Sequence, residues 1–195
     1  MKHRLLGTDD IGRGVDEIWE LARKQGVEIA LAGGAAMQLY GSDRLTKDVD
    51  FLSSDILGGL KVVGRLTFGG IQAETKSKVP VDLIVRDDDY QELYDDALEH
   101  AIKMPPVPVK VIRPEFMVAL KQAAAREKDL SDLRFLLTEA KLNYKRAREI
   151  VMEHFGFYAA DELDRYRDEY QWLKERDDRA KTGPRKPRTT KRARN

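Results

Sequence analysis

The sequence contains no cysteine among its 195 residues. This absence excludes disulfides, thiolate nucleophiles, zinc ribbons and iron–sulfur clusters. Histidine is scarce as well, and His3, His100 and His154 are too far apart in sequence to suggest a metal-ligand motif. No apolar run approaches the ~20 residues that cross a bilayer, and Met1 to Asp10 lacks the apolar stretch of a secretory signal. We therefore expect a cytoplasmic protein that makes no use of a membrane.

The composition provides enough apolar material for a hydrophobic core. Hydrophobic residues make up 42% of the chain and charged residues 35%, which excludes a fully disordered protein. The length suits one or two domains.

The net charge of +1 conceals a basic C-terminal segment. Residues 181–195 hold seven basic side chains and no acidic one, whereas residues 1–180 hold 28 basic against 34 acidic side chains, a net charge of −6. Basic segments often contact nucleic acid, and a solvated terminus is the alternative. Because Pro184 and Pro187 interrupt regular structure, we expect a disordered tail. Its basic residues are Lys181, Arg185, Lys186, Arg188, Lys191, Arg192 and Arg194.

The order of hydrophobic patterns predicts a mixed α+β fold with a helical C-terminal half. We expect an α/β core over residues 1–112 and a helical subdomain over 113–180. No Gly/Ser-rich linker separates the two, so they should pack together. Helices are predicted over 9–25, 35–40, 87–101, 114–124, 130–140, 144–155 and 160–179, and strands over 27–32, 48–52, 61–68, 71–76, 79–85 and 109–112.

Three aspartates on predicted strands form the most informative pattern. Asp48 and Asp50 are two residues apart, so the period of a strand puts both side chains on one face. Asp82 interrupts the apolar run from Val79 to Val85, and it joins the pair if the two strands are neighbours. Because unpaired buried charges are costly, such a cluster is easier to explain as a site for divalent cations than as packing. A pair of Mg²⁺ ions, which sit ~3.5–4 Å apart in two-metal sites, suits the gap.

Two glycines precede this pattern. Gly33 and Gly34 form a predicted turn between a predicted strand and a predicted helix, a combination that lets the backbone approach a phosphate. A structural turn explains the glycines about as well when they are considered alone. The sequence is neither a Walker P-loop nor a dinucleotide fingerprint.

The string Leu31-Ala32-Gly33-Gly34, thirteen further residues, Asp48-Val49-Asp50-Phe51 and a later strand Asp82 resembles the signature of DNA polymerase β-type nucleotidyltransferases. The segment from Arg44 through Thr46 to Asp50, with Pro114 to Lys121 and Arg126 to Asp132, more narrowly resembles the AbiEii-type, abortive-infection branch. Members of that branch are often toxins with a cognate antitoxin. The resemblance covers about residues 27–137, and residues 50–82 lack the long helix common in the superfamily.

The resemblance implies a fold and a set of roles. The fold would be the superfamily's mixed sheet with flanking helices. Asp48, Asp50 and Asp82 would be catalytic and would bind two Mg²⁺ ions, with Mn²⁺ as a substitute. Gly33 and Gly34 would hold the triphosphate of an NTP, although many members have Ser where this chain has Gly34.

Several nearby residues have both a functional and a structural interpretation. Lys121 would reach the phosphates or be a solvated lysine, and Arg44 and Thr46 would touch the nucleotide or belong to a loop. Asp129 and Asp132 are interpreted as the N-cap and N3 of a helix; the alternatives are that they position Lys121 or Arg126, or that they act directly in catalysis. The run Asp87-Asp88-Asp89 is interpreted as the start of a helix.

Two functions of different classes follow from these patterns. The first is a metal-dependent nucleotidyltransferase that transfers NMP from an NTP to a hydroxyl, as a toxin-like enzyme. The basic tail favours RNA, such as a tRNA end, as the acceptor, and a protein hydroxyl or a small molecule is the alternative. The second is a non-catalytic antitoxin or nucleic-acid-binding module of the same fold.

Overall fold

The computed structural model of the protein describes residues 4–182. The predicted tail therefore lies outside the described residues, apart from its first two. In chain order the elements are α1 (Thr8–Gln25), β1 (Ile29–Ala32), α2 (Gly33–Leu39), β2 (Val49–Ser53), β3 (Lys61–Arg65), β4 (Ile71–Glu74), β5 (Pro80–Ile84), α3 (Gln91–Glu99), β6 (Ile102–Lys103), β7 (Lys110–Val111), α4 (Pro114–Ala124), α5 (Glu127–Thr138) and α6 (Tyr144–Thr182).

Within residues 4–182, seven strands form one mixed sheet in the order β3-β4-β5-β2-β1-β7-β6. β2 is parallel to β5 and β1 is parallel to β7, whereas the other neighbouring pairs are antiparallel. This arrangement confirms the predicted α+β class. Strand β6 was not predicted, because two residues are too short to show a periodic pattern.

The sheet separates two hydrophobic clusters. On one face, Val49 and Phe51 pack in the same cluster as Val15 and Ile18 of α1. On the other face, Leu52 packs with α4, α5 and α6. The alternation along β2 follows from the two-residue period of a strand, and it turns Asp50 toward the same face as Leu52. The helical part therefore covers the face of the sheet that carries the aspartates.

Several element boundaries differ from the prediction. Helix α3 begins at Gln91 rather than at residue 87, because the carboxylate of Asp88 binds the Arg86 guanidinium and accepts the Tyr90 N–H in a preceding turn. Helix α5 begins at Glu127 with Arg126 as its N-cap. Asp129 is thus the third helical residue, and its predicted N-cap role is wrong.

The two helices predicted over 144–155 and 160–179 are confirmed as the two parts of α6, of which the second continues to Thr182. The run is broken only at Gly156, whose φ of 79° and ψ of −175° are not helical. Strand β3 ends at Arg65, earlier than predicted, because the chain then turns at Gly69 and Gly70. Both turn glycines have a φ of +98°, and a Cβ atom there would lie 2.3 or 2.0 Å from a backbone carbonyl oxygen.

Among the described residues, no helix combines the length and the apolar character that crossing a bilayer demands.

Candidate active site

The three aspartates predicted as a cluster lie at the centre of one cavity. Strands β2 and β5 pair in a register that sets Asp50 beside Asp82, and adjacent strands lie ~4.8 Å apart. Asp48 comes directly before β2. All three line a cavity of about 310 Å³, which Gly33 and Gly34 also line.

The two glycines leave space that side chains of the site occupy. Gly33 has a φ of +56°, and a Cβ atom built on it would lie 1.7 Å from Oδ2 of Asp50. A Cβ atom on Gly34 would lie 2.7 Å from Oγ1 of Thr46. Gly33 is therefore required for packing against Asp50 of β2 and Gly34 for packing against Thr46 in the segment before β2, whatever ligand the cavity holds.

Burial and mutual repulsion disfavour the charged forms of these carboxyls. Burial raises the pKa of Asp50 to about 6, and the charge of Asp48 adds to the rise, against the opposing charge of Lys121. Burial raises the pKa of Asp82 to about 7, with further contributions from Asp50 and Asp48. Gln72 offsets part of this, because its Nε2 donates to Oδ1 of Asp82 at 3.4 Å.

Within residues 4–182, none of the three carboxylates forms an ion pair with a basic side chain. The same part of the chain also holds no group of three His, Cys, Asp or Glu side chains arranged closely enough to enclose a metal ion. The carboxylates share a cavity, but they do not converge on one point.

A network of charges forms the wall of the cavity on the side of the helical part. The ammonium of Lys121 lies 3.1 Å from Oδ1 of Asp129 and 2.7 Å from Oδ2 of Asp132. Both aspartates are almost completely buried. Arg126 pairs with Asp129, and Arg44 with Asp132. Burial acts to raise the pKa of Asp129, but the hydrogen bonds from Arg126 and Lys121 hold it below its usual value.

Of the residues predicted around the aspartates, Arg44 and Lys121 line the cavity, whereas Thr46 does not. The charged ends of Arg44 and Lys121 are already paired with Asp132. Thr46 is buried behind the cavity, and its hydroxyl lies 2.9 Å from the carbonyl oxygen of Asp48 and 3.2 Å from Oδ1 of that residue. Thr46 therefore supports Asp48 from behind.

Sequence reasoning missed two polar groups of the cavity wall, Gln72 and Lys128. Gln72 pairs in register with Asp82 on the next strand, so it shares the face of the aspartates. Alternation along β4 indicates which residues of that strand share a face, but only the strand order puts that face beside Asp82.

No protein-family model matches this chain, and no curated protein matches its sequence. Several solved structures are similar in fold. A nucleotidyltransferase-like protein from Paracoccidioides brasiliensis is 16% identical, with 77% of this chain and 89% of that chain covered and a TM-score of 0.46. The antibiotic-resistance factor ANT(2'')-Ia is 15% identical, with 88% and 98% covered and a TM-score of 0.47.

The lincosamide antibiotic adenylyltransferase LnuA, in its lincomycin-bound form, is 13% identical, with 68% of this chain and 98% of that chain covered and a TM-score of 0.44. Identities and TM-scores this low carry no argument about activity. The activity therefore has to be argued from the chemistry of the site.

Proposed function

We propose that the protein is a metal-dependent nucleotidyltransferase that transfers NMP from an NTP to a hydroxyl acceptor. One observation carries this proposal: Asp48 and Asp50 lie beside Asp82 on a parallel neighbouring strand, in one cavity with Gly33 and Gly34. Three acids gathered without an ion-pair partner among residues 4–182 serve no packing purpose, because each adds a desolvation cost and a repulsion.

The chemistry of these residues fits divalent cations. Asp48, Asp50 and Asp82 offer only carboxylate oxygens, the donors that Mg²⁺ prefers and Mn²⁺ accepts. Two bound Mg²⁺ ions would neutralise charge on the attacking and leaving oxygens of the phosphoryl group. Small side-chain movements would have to bring the carboxylates to a common point.

The residues of the chain itself would bind and orient the substrates. The glycine pair would allow the triphosphate to approach the backbone, with Arg44 and Lys121 contributing positive charge from the wall. The acceptor oxygen would form a bond to the α-phosphorus while the bond to pyrophosphate breaks. Asp82, on the side of the carboxylates away from the glycines, would accept the proton of the hydroxyl.

The proposal extends to an RNA acceptor, such as a tRNA end, and to a toxin-like role with a cognate antitoxin. The basic segment of residues 181–195 supports the first, and the resemblance of the motifs to the abortive-infection branch supports the second. A protein hydroxyl and a small molecule are the competing acceptors.

Incubation of the protein with Mg²⁺, labelled NTPs and total RNA tests the proposed reaction. We expect label to be transferred by the wild-type protein and lost with Asp50→Asn, which keeps the size of the side chain. The exposed acid Asp16, on α1, supplies the matched control Asp16→Asn, which should transfer label normally. If no macromolecule or small acceptor gains label, while Mg²⁺ and NTP together still raise the melting temperature, the protein is a binding module instead.

A further inference from the structure

The cavity of the candidate active site continues into an aromatic slot. We define this slot by Phe68, in the turn after β3, by Arg86, and by Tyr90 and Tyr94 at the start of α3. The slot has a volume of about 300 Å³. Phe68 and Tyr94 line both the slot and the carboxylate cavity, so the two volumes adjoin.

Arg86 organises the slot rather than binding an anion there. Its guanidinium carbon lies 5.4 Å from the ring centroid of Phe68, 5.0 Å from that of Tyr90 and 4.8 Å from that of Tyr94. The side chain of Arg86 is only 8% exposed. Nε and Nη2 each donate to a different carboxylate oxygen of Asp88, at 2.9 and 2.6 Å. Because Asp88 neutralises its charge, Arg86 does not need an anionic ligand, and its guanidinium holds the rings of Phe68, Tyr90 and Tyr94 in position.

The rest of the slot lining is mostly apolar. Helix α4 contributes Leu120, Ala123 and Ala124, and the polar groups beside them are the Thr67 hydroxyl and the Arg126 guanidinium, which is paired with Asp129. Aromatic rings together with apolar side chains suit a flat ring that is held by its faces.

We infer that the aromatic slot binds the nucleobase of the donor NTP, an assignment that rests on the proposed function. The continuity of the cavity supports the donor, because a molecule with its phosphates at Gly33 and Gly34 extends along the same cavity to Phe68 and Tyr94. Stacking of a base on aromatic side chains contributes ~1–3 kcal/mol to nucleic-acid binding.

A separate cavity leaves room for the acceptor. It has a volume of about 540 Å³ and touches Asp48, Gln72 and Asp82, but its lining includes neither glycine of the pair. In-line displacement requires the entering and leaving oxygens to lie on opposite sides of the phosphorus. An acceptor that enters over Asp82 therefore approaches from this second cavity and does not compete for the slot.

The chemistry of the slot also predicts its selectivity. Every base has a π-face, so stacking tolerates different bases, and the two guanidinium groups at the slot, those of Arg86 and Arg126, are already paired with Asp88 and Asp129. All four NTPs should therefore bind with affinities within a few-fold of one another.

Calorimetric titration with ATP and with inorganic tripolyphosphate, each with Mg²⁺, separates the base from the phosphates. The wild-type protein should bind ATP more tightly than tripolyphosphate. Phe68→Ala should weaken ATP binding by about tenfold, without changing tripolyphosphate binding. Phe68→Trp, which retains a ring, should preserve the preference for ATP, as should Tyr158→Ala, which removes a ring that is 86% exposed on α6.

Each contrary outcome has a distinct meaning. Equal binding of ATP and tripolyphosphate by the wild-type protein would overturn the slot assignment but leave the phosphate site intact. An equal loss of both ligands in Phe68→Ala would also overturn it, because the effect would be structural. Unchanged ATP binding together with weaker binding of a short RNA would assign the slot to the acceptor instead. Failure of the wild-type protein to bind either ligand would contradict the proposed function itself.

Discussion

Replacing Asp82 with asparagine should stabilise the metal-free protein at neutral and alkaline pH. The pKa of Asp82 rises from 3.8 to about 7 in the folded protein, through burial first and then through Asp50 and Asp48. Between these two values the folded protein holds a proton that the unfolded chain has released. Stability therefore falls as the pH rises through this window, and an asparagine avoids the loss.

The shift sets the size of the effect. At ~1.4 kcal/mol per pKa unit, the full rise corresponds to ~4 kcal/mol above pH ~7. Because Asp82 is only partly buried, solvent screening reduces this to ~1–2 kcal/mol, or a few degrees in melting temperature for a chain of this size. The amide oxygen of asparagine can still accept the hydrogen bond from Gln72, so no contact has to be lost.

Denaturant and thermal unfolding in a chelator, at several values between pH 4 and pH 8, measure the effect. Asp82→Asn should match the wild-type protein near pH 4 and gain stability steadily up to about pH 7. The exposed Asp16→Asn should show no such trend. A variant that is less stable than the wild type at pH 8 would show that the carboxylate supports the fold, and the assignment of the acids to a ligand site would fail.

Three further predictions concern Gly33, Lys121 and the basic segment of residues 181–195. Gly33→Ala should abolish nucleotide binding and destabilise the protein by more than Gly26→Ala. Both glycines have positive φ values, but only at Gly33 would the added Cβ atom lie 1.7 Å from a carboxylate oxygen, Oδ2 of Asp50; equal melting temperatures of the two variants would contradict this. Lys121→Met should cost ~2–3 kcal/mol in unfolding free energy, because the buried Asp129 and Asp132 then each keep only one cationic partner, Arg126 or Arg44, and adding Asp132→Asn should recover part of it; a neutral single variant would mean that the lysine is solvated. Deleting residues 181–195 should flatten the plot of log RNA affinity against log salt while leaving ATP affinity unchanged; equal slopes for the two proteins would remove the tail from RNA binding.

Local patterns in the sequence were enough to predict most of the elements. The helix predicted over 9–25 agrees with α1 to within one residue, because an apolar stripe and the left-handed Gly26 that caps the helix act within a few residues. The turn at Gly69 and Gly70 is local for the same reason. The alternation of Asp48, Val49 and Asp50 predicted correctly which side chains point away from the α1 core.

Which residues come together in the site depended on strand pairing between residues that are far apart in the sequence. Asp50 and Asp82 become neighbours only because the β3–β4 hairpin folds to the edge of the sheet and lets β5 pair with β2. From the sequence, Asp82 was expected to join Asp48 and Asp50 only if the two strands were neighbours. No local pattern contains this pairing, since register and strand order are settled by how the whole sheet buries its two faces.

The partners of the charged and aromatic residues were likewise decided by tertiary structure. Lys121 presents the pattern of an amphipathic helix residue, and nothing local predicts that its ammonium is enclosed by Asp129 and Asp132. Arg44 reaches Asp132 across 88 residues of chain, and Phe68 meets Arg86 only because a turn and a strand end lie side by side. Short-range preferences act along the backbone, whereas a desolvated charge or ring is stabilised by whichever group the packed fold brings into contact with it.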